Sequence, residues 1–129
     1  MSSPLLRQVL HELPDDIAAQ VDAIAQAYLA VETGLRELSN EVTACEASKT
    51  PIDIDTLTGW NARALRIKEW HDQTHADVSA LADEIDRRGL PPSAADSLRG
   101  LFQAFDDGVG EASREFTAAI VGAASRQPD

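Results

Sequence analysis

The chain is poor in the residues that cross-link a protein or anchor it in a membrane. Of its 129 residues only Cys45 is a cysteine, so no intrachain disulfide forms, and a reducing compartment suits the chain. A domain of this length buries about two-thirds of its unfolded surface and needs no metal to fold. No apolar run approaches the roughly 20 residues that span a bilayer. The N-terminal stretch lacks the basic flank and apolar core of a signal peptide, so we expect a cytoplasmic protein.

Basic residues are also scarce. Eleven lysines and arginines stand against 22 aspartates and glutamates, which gives a net charge of −11. Such a chain repels phosphate backbones and anionic lipid surfaces, so we expect it to bind neither nucleic acid nor a membrane. The acidity is typical of solvated helix faces. A second interpretation is an acidic inhibitor or antitoxin that acts through its negative surface.

What the sequence does contain is one long helical pattern between Ile17 and Cys45. Apolar residues recur there at gaps that alternate between four and three, which predicts an amphipathic helix with a narrow apolar seam of coiled-coil spacing. Such a seam must be covered by other helices. Its members are Ile17, Val21, Ile24, Tyr28, Val31, Leu35, Leu38, Val42 and Cys45.

Two further segments carry apolar positions at similar spacing. The second begins after a connector in which Asp55 or Thr56 is predicted to cap the helix, and it ends at a stop signal of basic residues, Gly89 and two prolines. Because the connector is short, the first two helices should lie antiparallel. The second seam comprises Leu57, Trp60, Ala64, Ile67, His71, Thr74, Val78, Leu81 and Ile85. The third comprises Leu98, Leu101, Phe102, Phe105, Val109, Ala112, Phe116, Ile120 and Ala123.

We therefore predict an all-α fold: a single domain over residues 1–129, built as an antiparallel up-down-up bundle. Its three long helices are predicted at about 14–48, 56–88 and 93–125, after a short N-terminal helix in an arm of residues 1–13. Gly34 lies beside the first seam and predicts the close approach of a neighbouring helix. The alternative is a larger bundle completed by a second copy across a twofold axis, as a homodimer.

His71 and His75 are the candidate metal ligands. They lie four residues apart, so both side chains can point the same way from the second helix. Two ligands do not complete a zinc site, and the Glu-x-x-His motif of di-metal bundles is missing. We therefore predict no metal and no other cofactor, with His71 as a hydrogen-bonded seam residue and His75 at the rim. The alternative is a metal-binding helical bundle centred on Arg66, His71 and His75.

Two patterns resemble known families. Arg66 and His71 are similar to the Arg-x4-His pair of the HEPN ribonucleases, which are also all-helical. That resemblance implies, as an alternative, that Arg66 holds a phosphate and His71 acts as general acid or base. The layout of the long first helix, the connector Asp53-Ile54-Asp55-Thr56-Leu57 and a second long helix with Lys68 resembles flagellar export chaperones. Those are small acidic bundles that shield the helical ends of their partners.

The sequence favours an interaction protein over an enzyme. It shows no nucleophile next to a base and no glycine-rich phosphate loop, so we predict no catalytic residue. We expect an adaptor, an export-type chaperone or a small regulatory binder that docks a helical segment of another protein on apolar helix faces. Pairing of the first two helices along their seams should leave no concave pocket. The predicted partner-binding residues are Leu5, Leu6, Val9, Leu10, Leu13, Phe102, Phe116 and Ile120.

Overall fold

The computed structural model describes residues 7, 10, 11, 13–49 and 51–125, and within these ranges it contains three long α-helices and no strand. We label them α1 (Asp15–Ala47), α2 (Ile54–Arg88) and α3 (Pro92–Ser125). All three predicted helices are confirmed, with ends that differ from the prediction by about one or two residues, as is usual for helix boundaries. The predicted N-terminal helix lies largely outside the described residues and stays a prediction.

Local sequence accounts for where each helix begins and ends. Pro14 precedes α1, and Asp15 and Asp16 occupy its first turn, where the helix dipole favours negative charge. The N-cap of α2 is Asp53, whose carboxylate accepts a hydrogen bond from the Thr56 amide at 2.7 Å. The predicted caps, Asp55 and Thr56, were therefore wrong, because Asp53 is the last extended residue and its side chain reaches the free amide. Gly89 ends α2 with a left-handed φ of 63°.

Helix α1 is the centre of the bundle. It packs against both α2 and α3, whereas the backbones of α2 and α3 scarcely approach each other. Every member of the α1 seam from Ile17 to Val42 is buried, and Cys45 is half-buried. The predicted seam is thus confirmed as the surface that the other two helices share. Helix α2 touches only one neighbour closely, so its fully buried residues are only Trp60, Thr74, Leu81 and Ile85.

The buried side chains form two clusters, one toward each end of the bundle. The first surrounds the N-terminal half of α1, and Leu13 belongs to it while Leu10 packs against its edge. The second consists of Leu38, Val42, Ile52, Trp60, Phe116 and Ala123. Ile67 packs against both clusters and lies opposite Gly34, where an added Cβ would be 3.0 Å from the Ile67 Cδ1 atom. This confirms that Gly34 permits the close approach of α2.

The outer faces of the helices are charged and carry exposed ion pairs. Arg88 at the end of α2 pairs with Asp16, and Arg36 of α1 pairs with Glu115 of α3 at 2.9 Å. Exposed pairs of this kind stabilise a fold little compared with buried apolar side chains. Along the described ranges, no helix has an apolar stretch long enough to cross a membrane.

Shortening a seam residue should test this packing. Leu38 is 0% exposed, so Leu38→Ala should lower the free energy of unfolding by about 2–5 kcal/mol through lost burial and a cavity. Leu65→Ala on α2 is the matched control: Leu65 is 56% exposed, and the change should stay within about 0.5 kcal/mol. Urea denaturation measures both. Equal losses would contradict the assignment of Leu38 to the core.

Candidate functional site

The apolar seams are interrupted at one level of the bundle, where polar side chains of α2 and α3 meet. His71 and His75 lie one turn apart on α2, and both imidazoles reach Asp106 of α3. The His71 Nε2 atom is 3.0 Å from Asp106 Oδ1, and the His75 Nε2 atom is 2.8 Å from the same oxygen. One carboxylate oxygen therefore joins two histidines across helices that otherwise have few contacts. We call these three residues the His–Asp cluster.

The His–Asp cluster is partly shielded from water. The side chains of His71, Asp106 and His75 are 25%, 35% and 52% exposed, so the cluster opens outward at His75. Partial burial by itself would raise the pKa of Asp106. The hydrogen bonds from His75 and then His71 outweigh that effect and hold this pKa below its ordinary value. Asp106 is thus a carboxylate that faces two ring nitrogens at neutral pH.

Tyr28 of α1 forms the inner wall of the cluster. Its ring lies edge-on to the rings of His71 and His75, with centroid separations of 6.0 and 6.3 Å. Its other neighbours are Phe105, stacked at 5.8 Å, and Phe102, tilted at 6.3 Å. Tyr28 is 3% exposed, and burial together with the charge of Asp106 raises its pKa to about 12. The cluster therefore has an aromatic, poorly hydrated side that faces α1 and a second side that is exposed to solvent.

A groove runs from the His–Asp cluster toward the chain turn at Gly89, between α2 and α3. It has a volume of about 410 Å³ and includes His75 and Asp106 at one end. Leu81, Ile85 and Leu98, all almost fully buried, form its floor. The remaining lining residues are Tyr28, Val78, Ser79, Ala82, Asp86, Ala95, Arg99, Phe102 and Gln103. The expectation of no concave pocket concerned the pairing of the first two helices, whereas this groove lies between α2 and α3, which pack on α1 without coming together along this length.

The structure separates the three residues on which the alternative functions depended. His71 and His75 lie together as expected, and His71 is the hydrogen-bonded, half-buried member of the pair. Arg66, five residues earlier on α2, is exposed and makes none of the cluster's contacts. A ribonuclease mechanism that uses Arg66 with His71 gains no support from this arrangement, and it stays an untested alternative.

The predicted partner-binding residues fall in different environments. Phe102 is buried and lines the groove, whereas Phe116 and Ile120 pack in or against the second core cluster. Leu13 is buried and Leu10 is half-buried, and both pack in the first cluster. Leu5, Leu6 and Val9 lie outside the described residues. Contact of Phe116 with a partner would need α3 to move away from the core, so that role stays a prediction.

Sequence reasoning missed Asp106, although a signal for it exists. Asp106 lies four residues after Phe102 and three before Val109, so it shares a face of α3 with these two seam residues. The seam of α2 likewise turns polar at His71 and Thr74. Polar residues that interrupt the apolar faces of two neighbouring helices are expected to hydrogen-bond to each other, because buried polar groups need partners. The Thr74 hydroxyl donates to the Trp70 carbonyl at 2.9 Å and so needs no partner from α3. His71 and His75 are then the α2 side chains that can pair with Asp106.

Tyr28 is the only tyrosine, so its titration can be followed directly by the absorbance of the ionised phenol. The midpoint should lie near 12, well above the usual value of about 10. Asp106→Asn should lower the Tyr28 midpoint relative to the wild type, because it removes a negative charge. The midpoint should still lie above the usual value for tyrosine, because Tyr28 remains buried. Since the unfolded chain loses this proton first, stability should fall as pH rises from about 10 toward 12, and Tyr28→Phe should remove that fall. A midpoint near 10 would contradict the buried placement of Tyr28.

The His–Asp cluster and the groove beside it are the parts of the described chain whose chemistry points to a function. The cluster offers two imidazole nitrogens and a carboxylate, and the groove offers an apolar floor with a polar rim. No protein-family model, curated protein or solved structure gives a significant match to the chain.

Proposed function

We propose that the protein is a cytoplasmic, non-enzymatic interaction module that binds an amphipathic, basic helix of another protein in the groove between α2 and α3. The observation that carries this proposal is the gap in the bundle. Helix α1 packs against both neighbours, but the backbones of α2 and α3 scarcely approach each other, and a groove with an apolar floor lies between them. A fourth helix that crosses this gap would contact α2 and α3 together.

The dimensions of the groove suit a helix. On α2 it extends from His75 to Asp86, which is about 16 Å at ~1.5 Å of rise per residue, or three helical turns. A volume of about 410 Å³ accommodates a few large side chains rather than a whole helix. The partner would therefore lie across the opening and insert residues spaced three and four apart, which is the usual mode of helix-in-groove binding.

Charge favours a basic partner over a second copy of this chain. Asp86 and Asp106 are the acidic lining residues, and the single basic one, Arg99, is paired with Asp96 at 3.1 Å. The whole chain carries −11, so two copies would repel each other overall. Lysines or arginines flanking an apolar stripe would instead be attracted to this rim.

One of the predicted partner-binding residues supports this proposal. Phe102, predicted to contact a partner, lies in the groove lining, where an inserted side chain could touch its ring. The arm of residues 1–13 remains a second predicted contact surface. Leu10 and Leu13 pack in the first core cluster, to which the groove residues Leu81, Ile85 and Leu98 also belong.

A peptide titration tests this proposal. The probe is a synthetic helix with leucines at every third and fourth position and lysines elsewhere, and its control has glutamates in place of the lysines. The basic peptide should bind at least about tenfold more tightly, since it complements the acidic rim. Calorimetry measures the affinities of both peptides.

Binding must also map to the groove. Ala82 is exposed and lines the groove, so Ala82→Phe should fill the opening and weaken binding by about tenfold or more without a change of charge. Ala76→Phe is the matched control, because Ala76 is an exposed residue of the same helix that does not line the groove. If both variants bind the basic peptide as the wild type does, the peptide is held by general charge attraction and the proposal fails.

A further inference from the structure

We propose that the His–Asp cluster binds a divalent transition metal ion through His71, His75 and Asp106. The ligand atoms of these three residues all lie within 4.8 Å of one another. Both Nε2 atoms already point at Asp106 Oδ1, at 3.0 and 2.8 Å, so the three donors converge on one small volume. Metal binding is a property beyond the proposed recognition of a partner helix.

The spacing is close to that of a metal site. Zinc lies about 2.0–2.2 Å from nitrogen and oxygen ligands, so two ligands of one ion are about 3–4 Å apart. The contacts between the histidines and Asp106 would lengthen by a few tenths of an ångström, and the two imidazoles would move toward each other. Small side-chain rotations of His75 and Asp106 supply such changes, because both side chains are partly exposed.

The donor set selects the class of metal. Two imidazoles and one carboxylate suit Zn²⁺ and the neighbouring divalent transition metals, whereas Ca²⁺ and Mg²⁺ prefer oxygen ligands throughout. Three protein ligands leave at least one coordination position for water. His75 and Asp106 line the end of the groove, so that position would face the groove and solvent. The net charge of −11 also attracts cations to the surface.

The surroundings would hold the ligands in place. The ring of Tyr28 lies edge-on behind both imidazoles, and Phe105 stacks on Tyr28 with an angle of 7° between the rings. This aromatic wall restricts large rotations of the histidines away from Asp106 and shields the inner side of the site from water. A metal ion there would join α2 to α3, which have few other contacts, so its binding should also stabilise the fold.

The test uses the full-length protein, stripped of metal with a chelator and then titrated with Zn²⁺ or Co²⁺. Calorimetry should show one Zn²⁺ per chain, and the melting temperature should rise with Zn²⁺ concentration. Co²⁺ should produce the visible absorption of a nitrogen- and oxygen-ligated ion. Asp106→Asn and His75→Gln should each weaken Zn²⁺ binding by about 100-fold or more, because each removes a direct ligand.

His11→Gln is the matched control. His11 is the one histidine of the chain outside the cluster, and it is exposed, so this change should leave Zn²⁺ affinity unaltered. Ala82→Phe, which fills the groove, should leave Zn²⁺ affinity unaltered as well, so partner binding can be lost while the metal site is kept. Wild-type protein that takes up no Zn²⁺, or that binds it as tightly after Asp106→Asn, would overturn the proposal and leave a hydrogen-bonded cluster only.

Discussion

Burial of the α1 seam is the constraint on which the rest of the structure depends. An apolar stripe with gaps of three and four residues is narrow, yet two helices must cover it from different sides. Each therefore approaches α1 closely, α2 with Ile67 against Gly34 and α3 with Gly108 beside Glu32. Because both helices already pack their apolar faces on α1, neither needs to pack closely against the other. The groove between α2 and α3 is thus a consequence of how α1 is covered.

The polar level in the middle of the bundle follows from the same geometry. Where α2 and α3 approach each other beside Tyr28, the seam of α2 carries His71, and α3 presents Asp106 next to its seam residue Phe105. A buried polar side chain is tolerated only with a partner, so these two fix the relative position of the helices along their length. The apolar part of the groove begins beside this level. The proposed metal site and the proposed docking surface therefore lie next to each other.

Periodicity was sufficient to predict the three helices, the burial of every α1 seam residue from Ile17 to Val42, and the role of Gly34. It was sufficient because helix packing depends on residue spacing within one segment. It could not predict the groove, since spacing shows which face of a helix is apolar and not how far apart two neighbours of that face lie. Asp106 was missed for a related reason: its partners are 31 and 35 residues away, and no local pattern joins them. Asp53 replaced the expected caps because α2 begins at Ile54, earlier than predicted, so that Asp53 is the last extended residue before the helix.

Native-state hydrogen exchange, read residue by residue, is the most direct test of the claim that α1 carries the packing of both other helices. Amides of α1 between Val21 and Val42 should exchange most slowly, through global unfolding alone. Amides of α2 should exchange faster at low denaturant, because that helix can leave the bundle while α1 and α3 stay packed. Protection in α2 equal to that in α1 along its whole length would contradict the account.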